Sequence, residues 1–221
     1  MRLLATDFSL LADGGAFVWL LLATAAVAAV FILERALYLH RGHVRSSDFI
    51  EGVRNNLRAG RPIEALAACE DSPGPVPRVV KAALLRIPAG EEAMRAAATE
   101  AALLELPVLE RRLGTIAALG QLAPLLGLAG AAVAGFDVAG ALRDGSLYGA
   151  PDAVLLEAQA ALATAALGLV VAAVCGVGHH FLGGRVRAIA TEMEIAAWGL
   201  ITFVRHELPE EQAAERMRAA R

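Results

Sequence analysis

The chain has 221 residues, 57% of them hydrophobic and 19% charged, with 20 basic against 23 acidic side chains and a mean hydropathy of +0.55. A soluble domain is usually about 45–50% apolar and about 25% charged, so both values are displaced towards a bilayer protein. The formal net charge of -3 leaves no basic excess to neutralise phosphates, which excludes nucleic acid as the main partner. Cys69 and Cys175 are too few for a disulfide framework, and no CxxC or Cys/His cluster is spaced for zinc.

Three stretches lack Asp, Glu, Lys and Arg: Gly14–Leu33, Leu113–Phe136 and Ala158–Gly184. A hydrocarbon core about 30 Å thick needs roughly 20 apolar residues at 1.5 Å rise each. All three are long enough, although Ala and Gly make each less hydrophobic than a Leu-rich span. A buried soluble bundle is the competing reading. For the first stretch alone, a signal peptide also competes, but the run is too long and its n-region sets Arg2 against Asp7 and Asp13. The expected organisation is therefore an all-α membrane protein with three transmembrane helices and long helices extending beyond the membrane. Residues 1–13 form an outer N-terminal segment, 14–38 the first span, 39–112 a cytoplasmic helical domain and 113–136 the second span. Residues 137–156 form an outer loop, 157–182 the third span, and 183–221 a cytoplasmic helix and tail.

Basic residues near the span ends set the orientation. Arg35, Arg41 and Arg45 follow the first span, Arg111 and Arg112 precede the second, and Arg185 and Arg187 follow the third. The opposite ends carry only Arg2 and Arg143. This predicts a periplasmic N-terminus and a cytoplasmic C-terminus.

Between the first two spans, Ser47 to Ala59 reads as an amphipathic helix, with Phe49, Ile50, Val53 and Leu57 on one side. Pro62 opens a second helix through Cys69. The run Asp71-Ser-Pro-Gly-Pro-Val-Pro77 disfavours helix, and Val79 to Leu85 forms a short one. From Glu91 an Ala-rich helix continues into the second span, with Pro107 as its expected kink. Another helix is expected after Ala190, leading to a polar end at Glu210–Arg221.

No catalytic nucleophile motif, metal spacing or phosphate-binding glycine loop is present, so neither an enzyme nor a cofactor is expected. His179 and His180 point about 100° apart on a helix and make a poor metal pair; the plainer reading is a pair of interfacial histidines. More informative are small residues recurring every three or four positions: Gly120, Pro124, Gly127, Ala131 and Ala134, then Ala161, Ala165, Gly168, Ala172 and Cys175. Lipid gives helices no hydrophobic reason to associate, so close approach through small residues must hold the bundle, and two such stripes point to an oligomer. Polar groups within the spans are few: Thr24, Thr115, Gln121, Gln159 and Thr164. Each faces a bundle interior or a watery path, unless a Thr simply bonds its own i−4 carbonyl. Without a carboxylate in the three charge-free stretches, a proton crossing at the membrane centre needs an acid from a partner.

Ala123-Pro-Leu-Leu-Gly-Leu128 followed by Gly130 resembles the second-span signature of the ExbB/TolQ/MotA proton-channel family, closest to its ExbB/TolQ branch. Ala161-Leu-Ala-Thr-Ala-Ala-Leu-Gly-Leu169 followed by Val171-Ala172 resembles the third-span signature, and Phe31-Ile-Leu-Glu-Arg35 the end of the first span. The resemblance covers roughly residues 14–205. It implies a homo-oligomer, a pentameric ring in the bacterial inner membrane, whose lumen holds an ExbD/TolR-like single-span partner. That partner's intramembrane Asp carries the proton, and torque passes to a TonB- or TolA-like protein.

By the same resemblance Pro124, Gly127, Gly130 and Gly168 form the helix-packing motif. Thr164, Ala165, Ala131, Ala160 and Glu157 fall on the pore-lining or proton-path positions. Here the chain departs from the family. The threonine expected after Gly130 is Ala131, the lumen-facing threonine is Ala165, the glutamate is Ala160, and a later proline is Val174. Glu157, about 60° round the helix from Ala160, partly replaces the missing acid. Two functions follow: a working stator subunit coupling proton motive force to transport or envelope work, or a non-conducting or specialised ring scaffold for gliding or envelope anchoring.

Overall fold

A computed structural model describes residues 15–41, 46–143 and 151–207. The expected N-terminal segment, the centre of the outer loop and the polar end at Glu210–Arg221 lie outside these residues. Among the described residues there is no strand. Seven α-helices follow in order: α1 Gly15–Arg41, α2 Ser46–Arg58, α3 Pro62–Asp71, α4 Pro75–Leu84, α5 Glu91–Glu110, α6 Leu113–Arg143 and α7 Pro151–Glu207, with a 3₁₀ turn at Ile87–Ala89. Three helices are long and apolar enough to cross a membrane. At 57 residues, α7 has far more than the roughly 20 that a bilayer core requires.

The chain divides into two compact units. The first comprises residues 15–34, 112–143 and 151–182; the second comprises residues 35–41, 46–111 and 183–207. In the first, Leu21, Ala28, Ile116, Ala123, Val171, Cys175 and Leu182 are buried. Large apolar side chains elsewhere stand open, among them Phe136 (78% exposed) and Leu162 (73%). So much exposed hydrocarbon on one unit is an aggregation liability in water and the ordinary state of helices in lipid. The chain is an all-α membrane protein.

In the second unit, α2 packs on α3, α3 on α4 and α4 on α5. The turn after α2 is a Schellman motif. Gly60 takes φ +70°, its N–H bonds Leu57 O at 3.0 Å, and Arg61 N–H bonds Asn56 O at 2.9 Å. The core of the unit is built from Val53, Leu57, Val79, Leu84, Met94, Met193 and Leu200, all almost fully buried.

Three local expectations are corrected. The helix expected from Val79 begins at Pro75, because prolines at the first and third positions lack only N–H groups that a first turn leaves unpaired. The helix expected after Ala190 is the continuation of α7. Pro107 lies inside α5, and the helix from Glu91 instead ends at Glu110, because Arg112 adopts a left-handed φ of +68°.

Side chains explain that break. Within the first unit, the Arg112 guanidinium pairs with Glu34 and lies 5.2 Å over the Phe31 ring. Within the second, Arg35 is 5% exposed; its Nη2 donates to Val108 O at 2.7 Å and to Leu109 O. These are carbonyls that the end of α5 leaves without helical donors, and a cation at a helix C-terminus also meets the negative end of its dipole.

Candidate functional site

The candidate site is the antiparallel seam of α6 and α7 in the first unit. A Cβ on Gly168 would lie 2.7 Å from Ala123 O and 2.9 Å from Gly127 Cα, and one on Gly127 would lie 3.1 Å from Gly168 Cα. At Gly120 a Cβ would stand 2.9 Å from Cys175 Cβ. The two backbones touch because neither carries a side chain at the crossing, the close approach that holds membrane helices together. On the flank, α1 joins twice. Gly130 faces both Thr164 Cγ2 and Phe17 Cβ, at 2.7 and 2.9 Å from a would-be Cβ, and Gly178 faces Ile32.

The helix-packing residues Gly127, Gly130 and Gly168 are thus brought together, with Pro124 half-buried beside them. Thr164 is 4% exposed and turned into the contact with Gly130; its Oγ1 donates to Ala160 O at 2.8 Å. Ala131, Ala160 and Ala165 are half-buried, and Glu157 is exposed. Glu157 precedes Thr164 by seven residues, which sets both on one face of α7 two turns apart. Thr24 likewise satisfies itself, donating to Leu20 O at 2.8 Å, whereas Thr115, Gln121 and Gln159 are exposed.

Among the described residues of the three charge-free stretches there is no Asp, Glu, Lys or Arg; the titratable groups there are His179, His180 and the buried Cys175. No group of three or more His, Cys, Asp or Glu among the described residues could hold a metal ion. Chemically the seam packs helices and presents a neutral, weakly polar edge; a carboxylate proton carrier along it must come from elsewhere.

Sequence reasoning missed two contacts. The Arg35 cap on α5 has no local signature, since its acceptors lie 73 and 74 residues away. The second joins Nδ1 of half-buried His179 to Leu113 O at 3.2 Å. Its signal was present in the lone imidazole pair at the end of the third span.

A family model for the MotA/TolQ/ExbB proton channel family matches residues 72–195, more than half of the chain and including the α6–α7 seam. A provisionally named biopolymer transport protein ExbB homolog of Methanothermobacter thermautotrophicus is 25% identical over 182 residues, covering 82% of this chain and 64% of that protein. This chain thus matches just under two thirds of the length of that curated relative. No solved structure matches.

Proposed function

Because the chain belongs to the MotA/TolQ/ExbB proton channel family, we propose that it is an ExbB/TolQ-like stator subunit of the bacterial inner membrane. Several copies, five by the family resemblance, form a ring around an ExbD/TolR-like single-span helix. The N-terminus is periplasmic and the C-terminus cytoplasmic. The partner's intramembrane Asp takes up and releases the proton, and this chain supplies the neutral walls that keep the acid in a confined, partly hydrated path. Torque passes outward to a TonB- or TolA-like protein.

The observation that carries this reading is the carboxylate-free seam closed by Gly127 and Gly168. It gives a rigid helix pair with no acid of its own, so a charged group in the bilayer must be borrowed, and such groups mark ion pathways. The partner-dependent experiment is proton flux into liposomes holding this chain together with an ExbD/TolR-like protein. In this reading the path uses Thr164, Glu157, water and the partner's Asp, so flux is expected to fall on Thr164→Ala or Glu157→Gln.

One observation favours the second reading, a non-conducting or specialised scaffold. The Thr164 hydroxyl is buried and already committed to Ala160 O, while Ala131 and Ala165 add no hydroxyl. That reading expects intact rings with the partner bound, no proton leak, and indifference to both substitutions.

A further inference from the structure

The α6–α7 seam has one imidazole at its end that nothing so far explains. Opposite Nδ1 of His179, at 3.2 Å, is the carbonyl oxygen of Leu113. A carbonyl only accepts, so Nδ1 carries the hydrogen, and the lone pair of the neutral ring is on Nε2. The ring is thereby fixed in tautomer and tethered to the first residue of α6.

Its position round α7 gives the ring a direction. Gly178 faces α1 through Ile32. On a straight helix Ala165, on the position that the resemblance gives to the lumen, lies about 140° from Gly178 and therefore points away from α1. His179 lies only about 40° from Ala165, fourteen residues or roughly 21 Å further along the helix. His179 thus stands at the far end of the edge that carries Ala165. The other groups at its level in the unit are engaged or turned away. Glu34 and Arg112 are paired with each other, Cys175 is buried against Gly120, and His180 is exposed and about 100° round the helix.

We propose that His179 is a proton-relay residue at the inner end of the path, working through Nε2. A proton released by the partner's acid reaches Nε2 through water, while Nδ1–H keeps its bond to Leu113 O. The resulting imidazolium returns the proton from Nε2 to water on the inner side and is neutral again, so one proton enters and one leaves. Imidazole suits this step because one ring nitrogen can accept and give up a proton while the other keeps its hydrogen bond. The inference rests on the conducting-stator reading.

The test is proton uptake by liposomes containing the full chain with an ExbD/TolR-like partner. In His179→Asn the side-chain amide keeps a donor where Nδ1–H stood but has no basic Nε2. Its flux is expected to fall about tenfold or more at neutral pH, with partner binding retained and with His180→Asn unaffected. In His179→Gly, added imidazole is expected to restore flux, a rescue that a purely structural role would not show. Wild-type flux in His179→Asn, or no imidazole rescue of His179→Gly, overturns the relay while leaving the stator reading standing. No flux from the wild type with its partner overturns both.

Discussion

Gly127 and Gly168 meet backbone to backbone where α6 crosses α7, and a methyl group on either would press on the other helix at about 3 Å. Glycine costs helix stability wherever it stands, so its place here is set by the crossing.

Gly168→Ala is therefore expected to destabilise the chain by about 1–3 kcal/mol, because the new Cβ meets the carbonyl oxygen of Ala123, which cannot rotate aside. Gly135→Ala, with nothing within 4 Å of its Cβ, should be neutral or gain a few tenths of a kcal/mol. Thermal unfolding of the detergent-solubilised protein separates the two; equal midpoints for both variants would contradict the close crossing.

Arg35 closes the end of α5 through Val108 O and Leu109 O. Removing it in Arg35→Ala leaves two carbonyls bare and should cost about 1–3 kcal/mol. A lysine carries the charge but not the planar fork, so Arg35→Lys should recover only part of that loss. Hydrogen exchange at the last turn of α5 is the local readout, and unchanged protection in Arg35→Ala would count against the cap.

Two carboxyls in the second unit are held below the usual range. For Glu70 the cause is the hydrogen bond from Lys81 and then its charge, at 2.7 Å; for Glu207 it is chiefly the hydrogen bond from Arg58, at 2.7 Å. A depressed carboxyl contributes stability above its unfolded pKa of about 4.3 and loses it as pH falls through the lower folded value. The pairs are exposed, so the effect is small and weakens with salt. Glu70→Gln with Glu207→Gln should be less stable than wild type at pH 7 and converge with it in acid; a constant offset across pH would refute the pairing.

Burial pushes the Cys69 thiol up to about 11, with the residue 4% exposed. The nucleophile is the thiolate, so Cys69 should resist a maleimide at pH 7 in the folded protein and react fully in denaturant. Above the unfolded thiol value of about 8.5 the folded state is expected to lose stability, since only the unfolded chain then sheds this proton. Fast native labelling at Cys69 would show that α3 is not packed as described.

The spans were legible because a charge-free run of twenty or more residues has few homes outside a bilayer. The seam was legible at Gly120, Gly127, Gly168 and Cys175, which sit in the small-residue stripes. Yet the stripe through Ala161, Ala165 and Ala172 is rotated from the buried line through Thr164, Gly168, Val171 and Cys175. Periodicity fixes a face only to within a residue's turn, and the contact with Gly130 decided it. The break at Arg111–Arg112 left no trace, since arginine is a good helix former and the partners of Arg112, Glu34 and Phe31, are remote in sequence. The start of α4 is hidden because its prolines read as helix breakers, although Pro75 and Pro77 remove only N–H groups that a first turn leaves unpaired.

In the proposed function this chain lends neutral walls to an acid borrowed from its partner. The direct measurement is proton uptake by liposomes holding this chain alone, with the ExbD/TolR-like partner, and with that partner's intramembrane Asp changed to Asn. Uptake only in the second case is the predicted result. Equal uptake by this chain alone, or uptake that survives loss of the partner's Asp, would contradict the account.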